Sequence, residues 1–252
     1  MGLISSVLHL RDVERDRLMP ALDTILQETG FGRDQLCTVS AGGPHTLPEF
    51  DHTAAPGPCY VASPLSGRWL TLIEATWPAT GALHLSKVCN RISSALSCYA
   101  LALIVLHDDI FFYNFDYMGE ALDGYNSNPQ YFEQRRLSEV EIEAQRHTPE
   151  AFAALLPSGC AVEELRSLLN RGWWDAHDTG RLDEEGLPLS EHELKPFDEE
   201  ARMRAFGTLL QLHGSSSPYP YAAWADTRAS IDWQSFLAVR YLPRQGSQSA
   251  RS

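Results

Sequence analysis

Apolar and polar residues alternate over residues 3–10, which predicts an opening strand, and apolar residues then recur at helical spacing at Leu18, Leu22, Ile25 and Leu26. Asp16 is placed to cap that helix, Pro20 falls in its first turn, where no intrahelical amide bond is lost, and Gly30 supplies the stop. Residues 37–40 read as a short strand, and the Gly-, Pro- and His-rich stretch 41–58 reads as a long loop. Residues 59–62 and 69–77 flank the turn sequence Ser63-Pro64-Leu65-Ser66-Gly67 and predict a hairpin. Leu85, Val88, Cys89, Ile92 and Leu96 then share one face of a second helix over 84–97.

The stretch 99–117 is the most informative in the chain. An unbroken apolar run, 99–106, has the length of a strand buried on both faces, and the aromatic run 110–117 has strand composition, so the two predict a hairpin with His107-Asp108-Asp109 at its tip. The resulting order is β-α-β-β-α-β with one added hairpin strand. That predicts an α+β fold of ferredoxin-like type, an antiparallel sheet with two helices on one face. Such a fold hosts many unrelated functions and implies none by itself.

Beyond residue 133 the pattern becomes mainly helical. Thr148 and Pro149 open a helix over 149–156, residues 161–170 give a second, and Asp198 caps a third over 199–213. Residues 175–196 are acidic and irregular, and the Gln-, Ser- and Arg-rich tail has the composition of a disordered segment. The expected division is therefore a sheet domain over 1–133, a helical region over 134–243 that packs on the sheet or stands alone, and a disordered tail over 244–252. The charged stretch 134–146 marks the boundary.

Charge narrows the function classes. With 33 acidic and 20 basic residues among 252, the formal charge of −13 repels phosphate backbones and anionic lipid, so nucleic acid and membrane surfaces are poor partners. A basic protein partner or a cationic ligand is favoured instead, and the simpler reading is that the net negative charge keeps the protein soluble. The five cysteines are scattered and fit no zinc or CxxC spacing, which points to reduced thiols and a cytoplasmic location. Residues 1–6 fit a loose template for lipid attachment at Gly2, but the strand reading and the lack of a polybasic stretch outweigh it.

Three constellations carry candidate chemistry. His107, Asp108 and Asp109, with Asp116 added, form a polar group suited to a divalent cation, but adjacent residues on an extended chain point to opposite faces and a tight turn favours Asp without any ligand. No metal and no cofactor is expected. Tyr125, Asn126, Asn128 and Tyr131 place hydrogen-bonding side chains between aromatic ones in a loop after the sheet, as small-ligand pockets do. Trp173 and Trp174, being adjacent, cannot both face one core from a regular element, so one of them is a candidate contact residue. The sequence has no GxSxG, Walker A, GxGxxG, HExxH or EF-hand pattern. The expectation is a soluble acidic binding protein, for example an inhibitor or immunity-type protein for a basic partner. The alternative is a divalent-metal-dependent hydrolase or transferase using the His107, Asp108 and Asp109 group.

Overall fold

Strand β1 (Ile4–Arg11) explains the layering of the molecule, because its two faces are both apolar in the middle: Val7 points one way and Leu8 and Leu10 the other, all fully buried. A computed structural model describes residues 4–39, 57–74, 83–106, 110–129, 135, 137–143, 147–158, 161–170, 199–212 and 232–244. In it β1 is a central strand of an eight-stranded sheet built from β2 (Phe31–Thr38), β3 (Cys59–Ala62), β4 (Trp69–Glu74), β5 (Tyr99–Leu106), β6 (Ile110–Tyr117), β7 (Glu120–Asn126) and β8 (Leu237–Pro243). The spatial order is β2-β8-β3-β4-β1-β5-β6-β7, and every neighbouring pair is antiparallel.

The architecture is mixed α+β, with a sheet larger than the one expected. One face is covered by α1 (Arg15–Glu28) and α2 (Leu83–Leu96), whose Leu18, Leu22, Leu85 and Ile92 pack on Leu8, Leu70, Leu72 and Ala102. The other face is covered by a single 3-10 turn (Pro149–Phe152), α4 (Val162–Asn170) and α5 (Glu199–Leu209). Phe152, Leu165, Leu169 and Phe206 pack there on Leu101, Leu103, Phe111, Tyr113 and Phe115. A short helix, α3 (Glu139–Glu143), precedes that turn, opened by a capping box in which Ser138 Oγ and Glu141 exchange bonds with each other's backbone amides. Coverage on both faces is the reason β5 is apolar at every described position instead of alternating.

The apolar run and the aromatic run pair as a hairpin, in register from Leu106 with Ile110 to Tyr99 with Tyr117. Other expectations need correction. Helix α1 begins at Arg15, so Asp16 lies in its first turn and the cap position belongs to Glu14, which makes no side-chain bond. Pro20 is therefore inside the helix, where it removes one amide bond, and Thr24 Oγ1 donates to its carbonyl at 3.0 Å. The strand expected at 37–40 is the eight-residue β2, and α5 ends at Leu209, before His213. The extension beyond residue 133 is not only helical, since β8 lies between β2 and β3. The loop 41–58, apart from Gly57 and Pro58, the loop 175–196, Asp198 and the tail beyond Arg244 lie outside the described residues.

Candidate functional site: a cleft at the β6–β7 hairpin

Strands β6 and β7 are joined by Met118 and Gly119 alone, and both have positive φ, 53° and 87°. That is the geometry of a type I′ turn, whose twist matches that of the flanking strands. The turn is fastened to the end of α2. Met118 N donates to Cys98 O at 3.3 Å, Gly119 N to Ser93 Oγ at 3.2 Å, and Asn90 Nδ2 to Gly119 O at 2.5 Å. A Cβ on Gly119 would stand 2.8 Å from Ser94 Cβ, so glycine is required by space as well as by φ.

Helix α2 lies over β6 more than over β7, and a cleft opens between the helix and β7. On β7 the position opposite Asn114 is Gly124, and the position opposite Asp116 is Ala121, with Leu122 as an extra residue in a bulge. The small residues leave an open cleft of about 530 Å³ between Asn90 of α2, Asn114 and Asp116 of β6, and residues 121–124 of β7. Leu122, which lines it, is 38% exposed, and Met118 in the turn beyond is 51% exposed, while Tyr117 lies on the other face of β6, stacked on Tyr99 at 4.2 Å. Asp116 itself is buried. It accepts from Asn90 Nδ2 at 3.0 Å, and its negative charge adds to burial in raising the pKa of the Cys89 thiol.

Asp123 lies on the opposite face of β7 and is committed to structure. Tyr113 donates its hydroxyl to Oδ2 at 2.7 Å and Thr148 N donates to Oδ1 at 2.8 Å, while burial raises its pKa above the usual carboxylate range. Tyr125 is likewise a core residue. Its hydroxyl donates to Leu169 O at 2.9 Å and accepts from Arg202 at 3.2 Å. Arg202, 1% exposed, also donates to Leu168 O and Leu169 O at the C-terminal end of α4 and pairs with Glu199 at 2.8 Å, so its charge faces the negative end of a helix and a carboxylate. Asn126 is a strand residue whose Oδ1 accepts from Asn128 N at 2.9 Å, closing a turn at the end of β7. Asn128 Oδ1 is buried without a hydrogen-bond partner among the described residues.

The residues singled out by sequence are thus separated. Tyr125 faces the α4 and α5 side and Asp116 the α2 side. Asp116 sits six residues along β6 from Ile110, roughly 20 Å at 3.3 Å per residue. His107, Asp108, Asp109, Tyr131, Trp173 and Trp174 lie outside the described residues. Among the described residues no three His, Cys, Asp or Glu side chains converge as a metal site. Sequence reasoning missed Asn90, Asn114, Leu122 and Gly124. The signal for them was a glycine and an alanine in a segment that reads as loop but lies opposite polar positions of β6.

Two other features bear on chemistry. Burial pushes the Cys59 thiol up to about 11 and the Cys98 thiol up to about 12, and burial followed by Asp116 raises Cys89 well above the ordinary value, which disfavours the thiolate, the nucleophilic form, at each. Glu74, at the end of β4, is buried beside Ser6 and accepts from the Leu85 amide in the first turn of α2. Burial outweighs both bonds and raises it to about 8. Compared with protein-family models, with curated proteins and with solved structures, the chain matches none.

Proposed function

We propose that this chain is a non-enzymatic interaction protein that holds a basic protein partner, as an acidic inhibitor or immunity-type protein does. The observation that carries the reading is the β6–β7 hairpin. Its seventeen residues, 110–126, contain Asp116, Glu120 and Asp123 and no Lys or Arg. Its turn exposes Met118 and its cleft exposes Leu122, and apolar side chains framed by acceptors are what an interface with a cationic partner needs. The protonated state of the described buried thiols and the internal bonding of Asp116 and Asp123 favour a structural over a catalytic role for these groups. The central strands β3-β4-β1-β5 with α1 and α2 on one face support reading the sheet as a ferredoxin-like unit extended at both edges. Cys37, Cys59, Cys89 and Cys98 form no disulfide with one another, which supports a reducing, cytoplasmic location. Among the described residues no helix is long and apolar enough to cross a membrane.

The test is kinetic. A partner captured on the immobilised full chain is expected to be basic, to elute as salt is raised, and to associate more slowly as the Debye length shrinks below about 8 Å. Alanine at Trp173 or Trp174 is expected to raise the dissociation rate, since an aromatic anchor holds a complex more than it steers one. A captured partner that is neutral or acidic, with a salt-independent association rate, overturns the proposal.

A further inference from the structure

We infer that the outer edge of β7, centred on Gly124, takes up an extended segment of the partner as an added strand, with a Lys or Arg of that segment entering the cleft. The inference rests on the basic-partner reading and gives it a place and a geometry. Among the described residues, strand β7 ends the sheet and pairs with β6 alone. Ser127 N donates to Phe111 O at 2.8 Å, which fixes Tyr125 and Asp123 as the residues whose amides and carbonyls turn toward β6. Those of Gly124 then turn outward, and Gly124 is exposed: a Cβ built on it would meet only Tyr113 O, at 3.6 Å. Exposed edge backbone of this kind is a template for strand pairing.

The opposite edge of the sheet is defended. Strand β2 has a bulge at Asp34, pairs that carboxylate with Arg240, and pairs Arg33 with Asp23 of α1 at 3.3 Å. Charged side chains and bulges of this sort discourage further pairing. On β7 the side chain of an added strand opposite Gly124 would pass over the missing Cβ into the space above Asn114 and Asp116. Leu122 and Ala121 offer an apolar wall to an aliphatic stem, and the oxygens of Asp116 and Asn114 offer acceptors to its head, which is the division of a lysine or arginine side chain. A second copy of β7 is disfavoured as the occupant, since its residues 120–126 contain no Lys or Arg to enter the cleft.

Amide exchange and chemical-shift mapping on the isotopically labelled full chain test this, with a capped peptide alternating Lys and Val as the probe. The expected result is slowed exchange of the Gly124 amide, with shifts confined to β7 and the cleft, both lost when alternate peptide amides are N-methylated. Gly124→Val, whose backbone is compatible with a side chain, is expected to keep or raise the melting temperature and to weaken peptide binding about tenfold or more by filling the cleft. Equal binding of the N-methylated peptide, or shifts elsewhere on the surface, overturns strand addition and leaves the basic-partner reading standing. Equal binding at β7 of a peptide alternating Glu and Val overturns the charge preference in both. No binding of the Lys-Val peptide overturns the inference outright.

Discussion

The side-chain amide of Asn90 donates to Asp116 Oδ1 at 3.0 Å and to the carbonyl of Gly119 at 2.5 Å, so one residue of α2 holds both the floor of the cleft and the turn at its rim. Removing it leaves a buried carboxylate short of a donor, which costs about 1–3 kcal/mol. Asn90→Ala is therefore expected to lower the melting temperature. Adding Asp116→Ala to that variant should recover part of the loss, because the acceptor is then gone as well. A double-mutant cycle by thermal denaturation reads the coupling, and strictly additive losses would show that the two side chains stabilise the fold independently.

Arg202 and Glu199 form a buried ion pair, and removing Arg202 takes from the Glu199 carboxylate its guanidinium neighbour in the interior. Arg202→Met is expected to cost about 3–5 kcal/mol and to release the hydroxyl of Tyr125 and the end of α4. Arg202→Met combined with Glu199→Gln should be markedly more stable than the single variant. The check is chemical denaturation of the three proteins side by side.

Glu74 makes stability depend on pH with a definite sign. Its ordinary pKa of 4.5 rises to about 8 in the fold, so the folded chain binds more protons than the unfolded one between those values. The contribution is complete below pH 4.5 and falls away as pH rises toward 8, by about 1.4 kcal/mol per pH unit at the steepest. Glu74→Gln keeps the shape without the ionisation. Melting curves from pH 5 to pH 8 are expected to fall more steeply for the natural chain than for the variant, and parallel curves would mean that Glu74 is already ionised in the fold.

Met118 occupies a left-handed backbone position that asparagine adopts more readily, and its side chain is half exposed. Asn-Gly is the preferred sequence of a type I′ turn. Met118→Asn is thus expected to stabilise the chain by about 1 kcal/mol or less, the strain that a left-handed position imposes on an ordinary residue. A denaturation midpoint unchanged or lowered would indicate that Met118 packs on the rim more than its exposure suggests.

The legible parts of this fold are those whose signal is local. Strand β5 is apolar throughout, α1 and α2 repeat at helical spacing, and β3 and β4 are joined by a turn sequence. Strand β7 was not legible because edge residues meet solvent: Glu-Ala-Leu-Asp-Gly has neither alternation nor β-branched residues, and its pairing is set by the Met118-Gly119 turn. Strand β8 was hidden for a different reason. Its partners are far away in sequence, as the Arg240 to Asp34 ion pair across 206 residues shows, and no nearby turn announces them. The cleft escaped notice because it is made by what Gly124 and Ala121 lack, and an absence of side chain has meaning only once the neighbouring strand is known.

The position of β8 also sets a timetable for a growing chain on the ribosome. Strands β1, β4, β5, β6 and β7 can zip together as soon as residue 126 has emerged, but β3 has only one neighbour and β2 none until residues 237–243 arrive. For the time needed to add more than a hundred further residues, at roughly 5–20 residues per second, an unpaired strand border carrying Tyr60 and Val61 stays open. Closing it requires contacts of very long sequence separation, which form slowly. The nascent protein is thus more exposed to aggregation than the finished one, and its yield in a cell should depend on chaperone supply more than its final stability would suggest.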